Sequence, residues 1–208
     1  MSATNAPRGP YAKTAAVRRR ILEAALEVFA ESGYRATTMK AVAERAGISQ
    51  RGLVHHFASK DDLLAGVLAD YDAHVAATMS RATGGPALDA LLDVITRDMG
   101  QPVVIELYSI LSAEASSPHH PAHEHYQRRY TQFRRYLVDQ FDVLLEQGLL
   151  RSKLGSETLA RLFMATLDGL QSQWLYDRDD VDVAGTLRAL LNEILIDSPA
   201  PTAEFADT

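Results

Sequence analysis

Residues 37–57, which read TTMKAVAERAGISQRGLVHHF, contain two short helical patterns separated by one glycine. Thr37 is suited to cap the first helix, whose apolar residues recur at helical spacing. Gly47 stands where that helix must end and reverse, a position that suits a positive φ angle. Ser49 can cap the second helix through its hydroxyl group. The segment therefore predicts a helix-turn-helix.

The second helix of this segment has an inward apolar face and an outward polar face. Leu53 and Phe57 are four residues apart and point inward together. The outward Gln, Arg and His side chains can donate hydrogen bonds to DNA base edges and phosphates. An ordinary pair of helices with a solvated polar face is the alternative. Together with neighbouring polar residues, this face predicts a set of DNA-facing residues: Thr37, Thr38, Lys40, Ser49, Gln50, Arg51, Gly52, His55, His56 and Lys60.

Charge is divided unequally along the chain. Residues 1–60 hold ten Lys or Arg and four Glu, a net charge of +6, whereas the whole chain, with 21 basic and 27 acidic residues, carries −6. Residues 61–208 therefore carry −12. A basic end attached to an acidic remainder is typical of a nucleic-acid-binding protein and disfavours the simple solvated pair of helices.

The flanking residues extend the pattern. Residues 17–32 predict an amphipathic helix that ends at Gly33, and residues 59–62, SKDD, form a capping box. With these flanks, residues 15–68 resemble the DNA-binding domain of the TetR family of transcriptional regulators. The matching pieces are R-x-x-I-L-E-A-A-L-x-V-F-A-E-S-G-Y, then T-T-x-x-x-V-A-E-R-A-G-I-S, then L-V-H-H-F-x-S-K-D-D-L-L.

Three positions depart from the pattern of that family. The family usually has a Tyr, often a phosphate contact, where this chain has Val54, and often a Gly-Thr pair where it has Arg51 and Gly52. Arg51 is therefore the predicted base-reading residue. A glycine inside a helix costs about 1 kcal/mol relative to Ala. Close approach to the DNA backbone or neutral drift would account for Gly52.

Beyond residue 60 every strong pattern is helical, and Gly or Pro separates most of the segments. We therefore predict an all-α fold of about nine helices. An N-terminal three-helix helix-turn-helix domain would join a C-terminal helical domain, for which the resemblance implies ligand binding and dimerisation. The predicted parts are a disordered basic arm at 1–13, the DNA-binding domain at 14–60, the helical domain at 61–197 and a disordered tail at 198–208.

The last two predicted helices carry long apolar stripes. They could pack on each other, whereas the resemblance implies that they pair with the same helices of a second subunit in a four-helix bundle. A two-fold dimer would also place two recognition helices in major grooves about 34 Å apart. The predicted interface residues are Leu159, Phe163, Leu167, Leu170, Trp174, Leu187, Leu191 and Ile194.

Polar residues among apolar ones in the C-terminal half predict a small-molecule pocket. Glu106 lies in a helix that is apolar almost all round, and a buried carboxylate is costly unless it is paired. An ion pair with an Arg such as Arg129 is the alternative. The predicted pocket residues are Glu106, Tyr108, Tyr126, Tyr130, Asp168 and Gln171.

Several classes of protein are disfavoured. The absence of Cys excludes disulfides, thiolate metal sites and cysteine catalysis. The chain lacks the G-x-S-x-G, phosphate-loop, dinucleotide-glycine and H-E-x-x-H patterns, so we expect neither an enzyme nor a cofactor. No apolar run reaches the roughly 18 residues of a membrane span, and the first residues lack a signal-peptide core, so we expect a cytoplasmic protein with no membrane partner.

A run of histidines at residues 119–125 resembles a metal-binding cluster. His119 and His123 would share a helix face if the helix began early, but Pro118 and Pro121 oppose that. We therefore expect a polar surface at residues 119–125, which also include His120, Glu124 and His125, and no metal site.

Together these features predict a homodimeric repressor. It would bind a palindromic DNA operator and be released by a small-molecule effector of unknown identity. Two alternatives stay open: a ligand-independent DNA-binding module that acts through a protein partner, and a small-molecule-binding protein with weakened DNA binding, for which Val54 leaves room.

Overall fold

The computed structural model describes residues 10–78 and 82–196, and within them the regular secondary structure is α-helical. The all-α prediction is confirmed. Among these residues the nine helices are α1 (Pro10–Ala36), α2 (Met39–Arg45), α3 (Gln50–His56), α4 (Lys60–Thr78), α5 (Gly85–Met99), α6 (Pro102–Glu114), α7 (His123–Glu146), α8 (Ser156–Tyr176) and α9 (Val183–Ile194). None of them combines the length and apolar character needed to cross a membrane.

The two predicted disordered ends fall largely outside the described residues. The tail at 198–208 lies entirely outside them, as do residues 1–9 of the basic arm. Helix α1 begins at Pro10, so the prediction of an arm is wrong for residues 10–13. Proline favours the first turn of a helix, because its missing N–H would have no partner within the helix there.

The described residues divide into two compact units. Unit 1 contains residues 10–78 and 101–126, and unit 2 contains residues 82–100 and 127–196. Helices α4 and α6 therefore belong with the three N-terminal helices, and α1 packs against both. The boundary predicted at residue 60 does not coincide with this division, because α4 shares a core with α1. A functional boundary there stays a prediction.

The core of unit 1 is built around α1. Ile21, Ala25 and Phe29 are spaced by four residues and fully buried, as one face of an amphipathic helix requires. They belong to one hydrophobic cluster with residues of α2, α3 and α4 and with Leu107 and Leu111 of α6. A helix that is apolar almost all round is expected in an interior, and Leu107 and Leu111 of α6 lie there.

The backbone of α1 bends at Gly33, near the end of the helix, where a residue of α6 packs against it. Gly33 has φ 71° and ψ 170°, in the left-handed region that favours glycine. A Cβ added there would lie 3.0 Å from the Glu114 Oε1 atom of α6. The other carboxylate oxygen of Glu114 accepts the Tyr34 N–H at 3.1 Å. This junction therefore connects the end of α1 directly to the end of α6.

The core of unit 2 is formed by α5, α8 and α9 with the later turns of α7. Helix α9 packs against both α5 and α8. The buried Gln140 side chain of α7 accepts the Gly84 N–H at 3.0 Å and donates to the Tyr136 carbonyl at 3.1 Å. These bonds satisfy its buried amide and hold the turn that precedes α5.

The predicted dimer-interface residues lie mostly inside unit 2. Leu159, Phe163, Leu187 and Leu191 are at most 3% exposed. Helices α8 and α9 pack on each other within one chain, which is the alternative that the sequence left open, and the part of these residues in a dimer interface stays a prediction. Four further predicted residues are less deeply buried: Leu167 and Trp174 at 8% exposure, and Leu170 and Ile194 at intermediate burial.

Gly66 of α4 allows close packing in unit 1. A Cβ added there would lie 2.7 Å from Phe57 Cε1 and 3.1 Å from Leu22 Cδ2. We expect Gly66→Ala to lower the free energy of unfolding by about 1–2 kcal/mol, because the overlap outweighs the gain in helix propensity. Denaturant unfolding measures this change.

Gly85→Ala is the matched control, since nothing lies within 4 Å of the added Cβ at this helical glycine. Because Pro86 follows Gly85 and disfavours a helical Ala before it, the gain in helix propensity is partly offset, and stability should change by only about 0.5 kcal/mol. A Gly66→Ala variant as stable as wild type would contradict the packing described here.

Candidate nucleic-acid interface

Helices α2 and α3 form the predicted helix-turn-helix. Gly47 has φ 65°, and its N–H donates to the Glu44 carbonyl at 3.1 Å while the Ile48 N–H donates to Ala43 at 3.0 Å. This pair of bonds is the Schellman arrangement that ends a helix at a glycine. Ser49 then caps α3 by accepting the Gly52 N–H at 3.1 Å. The predicted positive φ and the predicted Ser49 cap are both confirmed.

The cap of α2 differs from the prediction by one residue. Thr38 is the capping residue, and its hydroxyl oxygen accepts the Ala41 N–H at 3.1 Å. Thr37 is only 3% exposed, and its hydroxyl donates to the Gly33 carbonyl at 2.8 Å. The prediction that Thr37 caps α2 is wrong because the chain needs this hydroxyl to satisfy the buried end of α1. Thr37 is therefore withdrawn from the DNA-facing set.

Helix α3 turns one face into the core and the other to solvent. Leu53 and Phe57 are 0% and 3% exposed, as their spacing predicts. The exposed residues of the helix are Gln50, Arg51, Val54 and His55, with Gly52 and His56 at intermediate burial. The outward orientation predicted for the polar residues is observed, and their contact with DNA stays a prediction.

The middle of the outward face of α3 is formed by Arg51, Gly52 and His55. At about 100° per residue these positions lie opposite the buried side of the helix. A Cβ added to Gly52 would meet only the Ser49 Oγ atom, at 3.2 Å. The backbone at Gly52 is therefore open to close approach by a ligand, between a guanidinium group and an imidazole.

Ion pairs neutralise the acidic residues near this surface. Each Glu of residues 1–60 has a basic partner: Arg19–Glu23 at 3.6 Å, Lys40–Glu44 at 3.8 Å, and Arg45 with Glu27 and Glu31, both at 2.8 Å. Hydrogen bonding to these carboxylates raises the pKa of Arg45 and lowers that of Glu31. Arg45 thus ties α2 to α1. Among the residues that the structure describes, Arg51 forms no such pair and keeps its charge on the outward face.

Lys60 is the first residue of α4, and its side chain reaches the end of α1. Its Nζ atom donates to the carbonyl oxygens of Tyr34 at 2.8 Å, Thr37 at 3.0 Å and Arg35 at 3.3 Å, and it lies 4.3 Å from the centre of the Tyr34 ring. An ammonium group has three protons to donate, and all three have acceptors within the protein. The predicted phosphate contact of Lys60 is therefore withdrawn. Lys40 stays exposed on α2.

The predicted pocket residues are divided between the two units, and their role in a pocket stays a prediction. Glu106, Tyr108 and Tyr126 belong to unit 1, where the Tyr126 hydroxyl donates to the Tyr108 carbonyl at 3.3 Å. The Tyr108 ring lies 4.4 Å from that of Tyr71, centre to centre. The tyrosines thus pack against one another, as expected for part of a core.

The other three predicted pocket residues, Tyr130, Asp168 and Gln171, belong to unit 2. The Tyr130 hydroxyl donates to Asp168 Oδ2 at 3.0 Å. Removal from water raises the pKa of Asp168, while the Tyr130 hydrogen bond and the charge of Arg129 act to lower it. This pair is one polar contact within that predicted set.

Three of the four histidines of residues 119–125 take separate structural roles, and the expectation of a polar surface is wrong for the buried His120. His120 is buried, and its Nδ1 atom accepts the Ala122 N–H at 3.2 Å. His123 Nδ1 lies 2.7 Å from the Ala115 carbonyl oxygen, and His125 Nε2 lies 3.6 Å from Asp72 Oδ2. Over the described part of the chain, no group of three or more His, Asp or Glu side chains is arranged to hold a metal ion.

Comparison with known proteins identifies the family. Residues 21–67 match the family model for bacterial regulatory proteins of the tetR family, and residues 87–196, more than half of the chain, match that for the C-terminal part of BetI-type transcriptional repressors. The chain belongs to the TetR family of transcriptional regulators. It is a DNA-binding regulator, and its helix-turn-helix is the DNA-binding element of that family.

Individual relatives support this assignment. The repressor KstR2 of Mycobacterium tuberculosis is 49% identical over 47 residues, 23% of this TetR-family chain and 24% of KstR2. Such a match spans only about a quarter of the curated relative. Among solved structures, GusR of Salmonella enterica has 26% identity and a TM-score of 0.67, covering 86% of this chain and 95% of its own. A regulator from Saccharomonospora viridis, solved with choline, has 23% identity and a TM-score of 0.69 over 87% and 98%.

The position of Lys60 in this TetR-family protein predicts an effect on stability and none on phosphate binding. We expect Lys60→Ala to lower the free energy of unfolding by about 1–3 kcal/mol, because three backbone carbonyls lose a charged donor. The slope of log Kd for DNA against log salt concentration should stay as in wild type.

Lys40→Ala is the matched control. Lys40 is exposed, so its loss should cost about 0.5 kcal/mol or less in stability and reduce the salt slope if it contacts a phosphate. A salt slope reduced by about one in Lys60→Ala would restore the phosphate contact.

Proposed function

We propose that this protein is a homodimeric transcriptional repressor that inserts α3 of each subunit into the major groove of a palindromic operator. The observation that carries the proposal is the outward face of α3, where Gln50, Arg51 and His55 are exposed. These side chains supply hydrogen-bond donors, and the opposite face of the helix packs into the core of unit 1. An α-helix of this kind fits the major groove, where each base pair shows a distinct pattern of donors and acceptors.

Two such helices require a two-fold dimer. In a symmetric dimer the recognition helices reach successive major grooves about 34 Å apart, so the bound sequence is a palindrome. An isologous interface needs an exposed apolar surface on each subunit, because the buried residues of α8 and α9 are already used within the chain.

Helix α8 carries such a surface. Leu162 and Tyr176 are 47% and 93% exposed. The small residues Ala165 and Gly169 lie between them on the same face, since the spacings of three, four and seven residues keep to one side of a helix. A Cβ added to Gly169 would meet nothing within 4 Å, so a second helix could approach closely. This face of α8, formed by Leu162, Ala165, Gly169 and Tyr176, is the surface we propose for dimerisation.

A charge placed in this face tests the dimer. We expect Leu162→Glu to shift the protein from dimer to monomer, measured by sedimentation, because the buried carboxylate would be unpaired. Leu145→Glu, at a site 55% exposed on α7, should leave the mass unchanged. Unaltered dimerisation of Leu162→Glu, or a wild-type protein that is monomeric, would contradict the proposed surface.

Release from DNA would follow from the binding of a small molecule to the helical core. A ligand shifts the equilibrium only when it binds the state with weak DNA affinity more tightly than the other. Because the Saccharomonospora viridis relative was solved with choline, choline is the first compound to test for weakened operator binding. If no small molecule alters the affinity for the operator but a protein partner does, the alternative of a ligand-independent DNA-binding module is favoured.

Arg51 provides the sharpest test of the DNA-reading role. After selection of a preferred duplex from random DNA, we expect Arg51→Ala to lose about 1–3 kcal/mol of binding to that duplex and to tolerate changes at one base pair per half-site. Arg151→Ala, which removes an exposed Arg of unit 2, should leave both properties intact. Unchanged affinity and preference in Arg51→Ala would remove Arg51 as a reader. If wild type selects no sequence, the proposed function fails.

A further inference from the structure

Val54 is an apolar side chain on an otherwise polar surface. It is 44% exposed. Within the described part of unit 1 it is the only large apolar side chain with this degree of exposure, since the others lie in unit 2. Its position on α3, in the face that carries Gln50 and Arg51, therefore needs a separate explanation.

Neither folding nor helix formation explains a valine here. The core side of α3 is filled by Leu53 and Phe57, and Val54 does not belong to the hydrophobic core cluster. A β-branched side chain also has a lower helix propensity than Ala or a straight-chain residue. In a helix of only seven residues, an exposed Val is a small local disadvantage.

The neighbours of Val54 on the helix are hydrogen-bond donors. Gln50 lies four residues before it and Arg51 three residues before it, so the three side chains form one patch on the helix surface. Val54 has no hydroxyl or amide group, and it cannot bind a phosphate oxygen or a polar base edge. An apolar partner is the one it fits.

The major groove presents one apolar group on its base edges, the 5-methyl group of thymine. We propose that Val54 contacts the methyl group of a thymine in each half-site, and so selects thymine at that position. The inference rests on the proposed function, because it requires α3 to lie in the major groove. It adds a base preference that hydrogen bonding by Gln50 and Arg51 does not supply.

Replacement of thymine by deoxyuridine tests this contact directly, because it removes only the methyl group and leaves base pairing intact. In the DNA selected by wild type, each thymine is replaced in turn. We expect one position per half-site at which wild type loses binding about four-fold, the change that corresponds to about 0.8 kcal/mol for one buried methyl group. Val54→Ala should bind thymine and deoxyuridine equally at that position, and should respond as wild type does at the other thymines.

Two further variants keep the test specific. Val54→Ile retains an apolar side chain and should keep the preference for thymine. Leu145→Ala removes an apolar side chain that is 55% exposed on α7 of unit 2 and should leave DNA binding unchanged. Circular dichroism and thermal unfolding of Val54→Ala should match wild type, because the side chain is not part of the core.

The outcomes separate this inference from the proposed function. If wild type selects no DNA sequence, both fall. If wild type selects a sequence but no thymine responds to deoxyuridine, only the role of Val54 falls. If Val54→Ala weakens binding to all sequences equally and keeps the full difference between thymine and deoxyuridine, then Val54 contacts the sugar-phosphate backbone and the proposal is overturned.

Discussion

The hydrogen bonds at the end of α1 fix the orientation of α2 and α3, the two helices of the DNA-binding region. Lys60 donates to three carbonyl oxygens of residues 34–37, Thr37 donates to Gly33, and Glu114 accepts the Tyr34 N–H. Together they hold the backbone at the point where the chain leaves α1 and enters α2. Because α2 and α3 are only seven residues long, neither would be stable alone. This junction and the core beneath it therefore determine how α2 and α3 are oriented.

That orientation is what gives the outward face of α3 a function. Leu53 and Phe57 anchor one side of the helix, so Arg51 and His55 project from a rigid element. A binding site on a helix with a locked inner face holds its side chains more accurately than one on a loop. The Glu residues of α1 and α2 add to this arrangement, because their partners are other basic residues. Within the part of the chain that the structure describes, Arg51 therefore carries a charge without an acidic partner at the centre of the surface.

Local rules were enough to predict the helix-turn-helix. Gly47 and the Ser49 cap follow from the geometry of helix ends, and the buried side of α3 follows from the spacing of two apolar residues. Three other features depend on contacts that the sequence pattern does not show. The acceptors of Lys60 lie 23–26 residues away. The sequence pattern therefore could not show whether Lys60 binds these carbonyl oxygens or a DNA phosphate. Thr37 and Thr38 are equally good caps until the end of α1 is known. An apolar stripe such as that of Phe163 shows that a face is buried, but not whether its own chain or a second subunit buries it.

The account depends on α3 lying in the major groove of DNA, and methylation protection at guanine N7 tests that most directly, because this atom faces the major groove. On a duplex selected by wild type, the account predicts two protected segments on one face of the helix, with centres about 34 Å apart. Protection of neither segment while the protein is bound, or of a single segment without a symmetric counterpart, would contradict it.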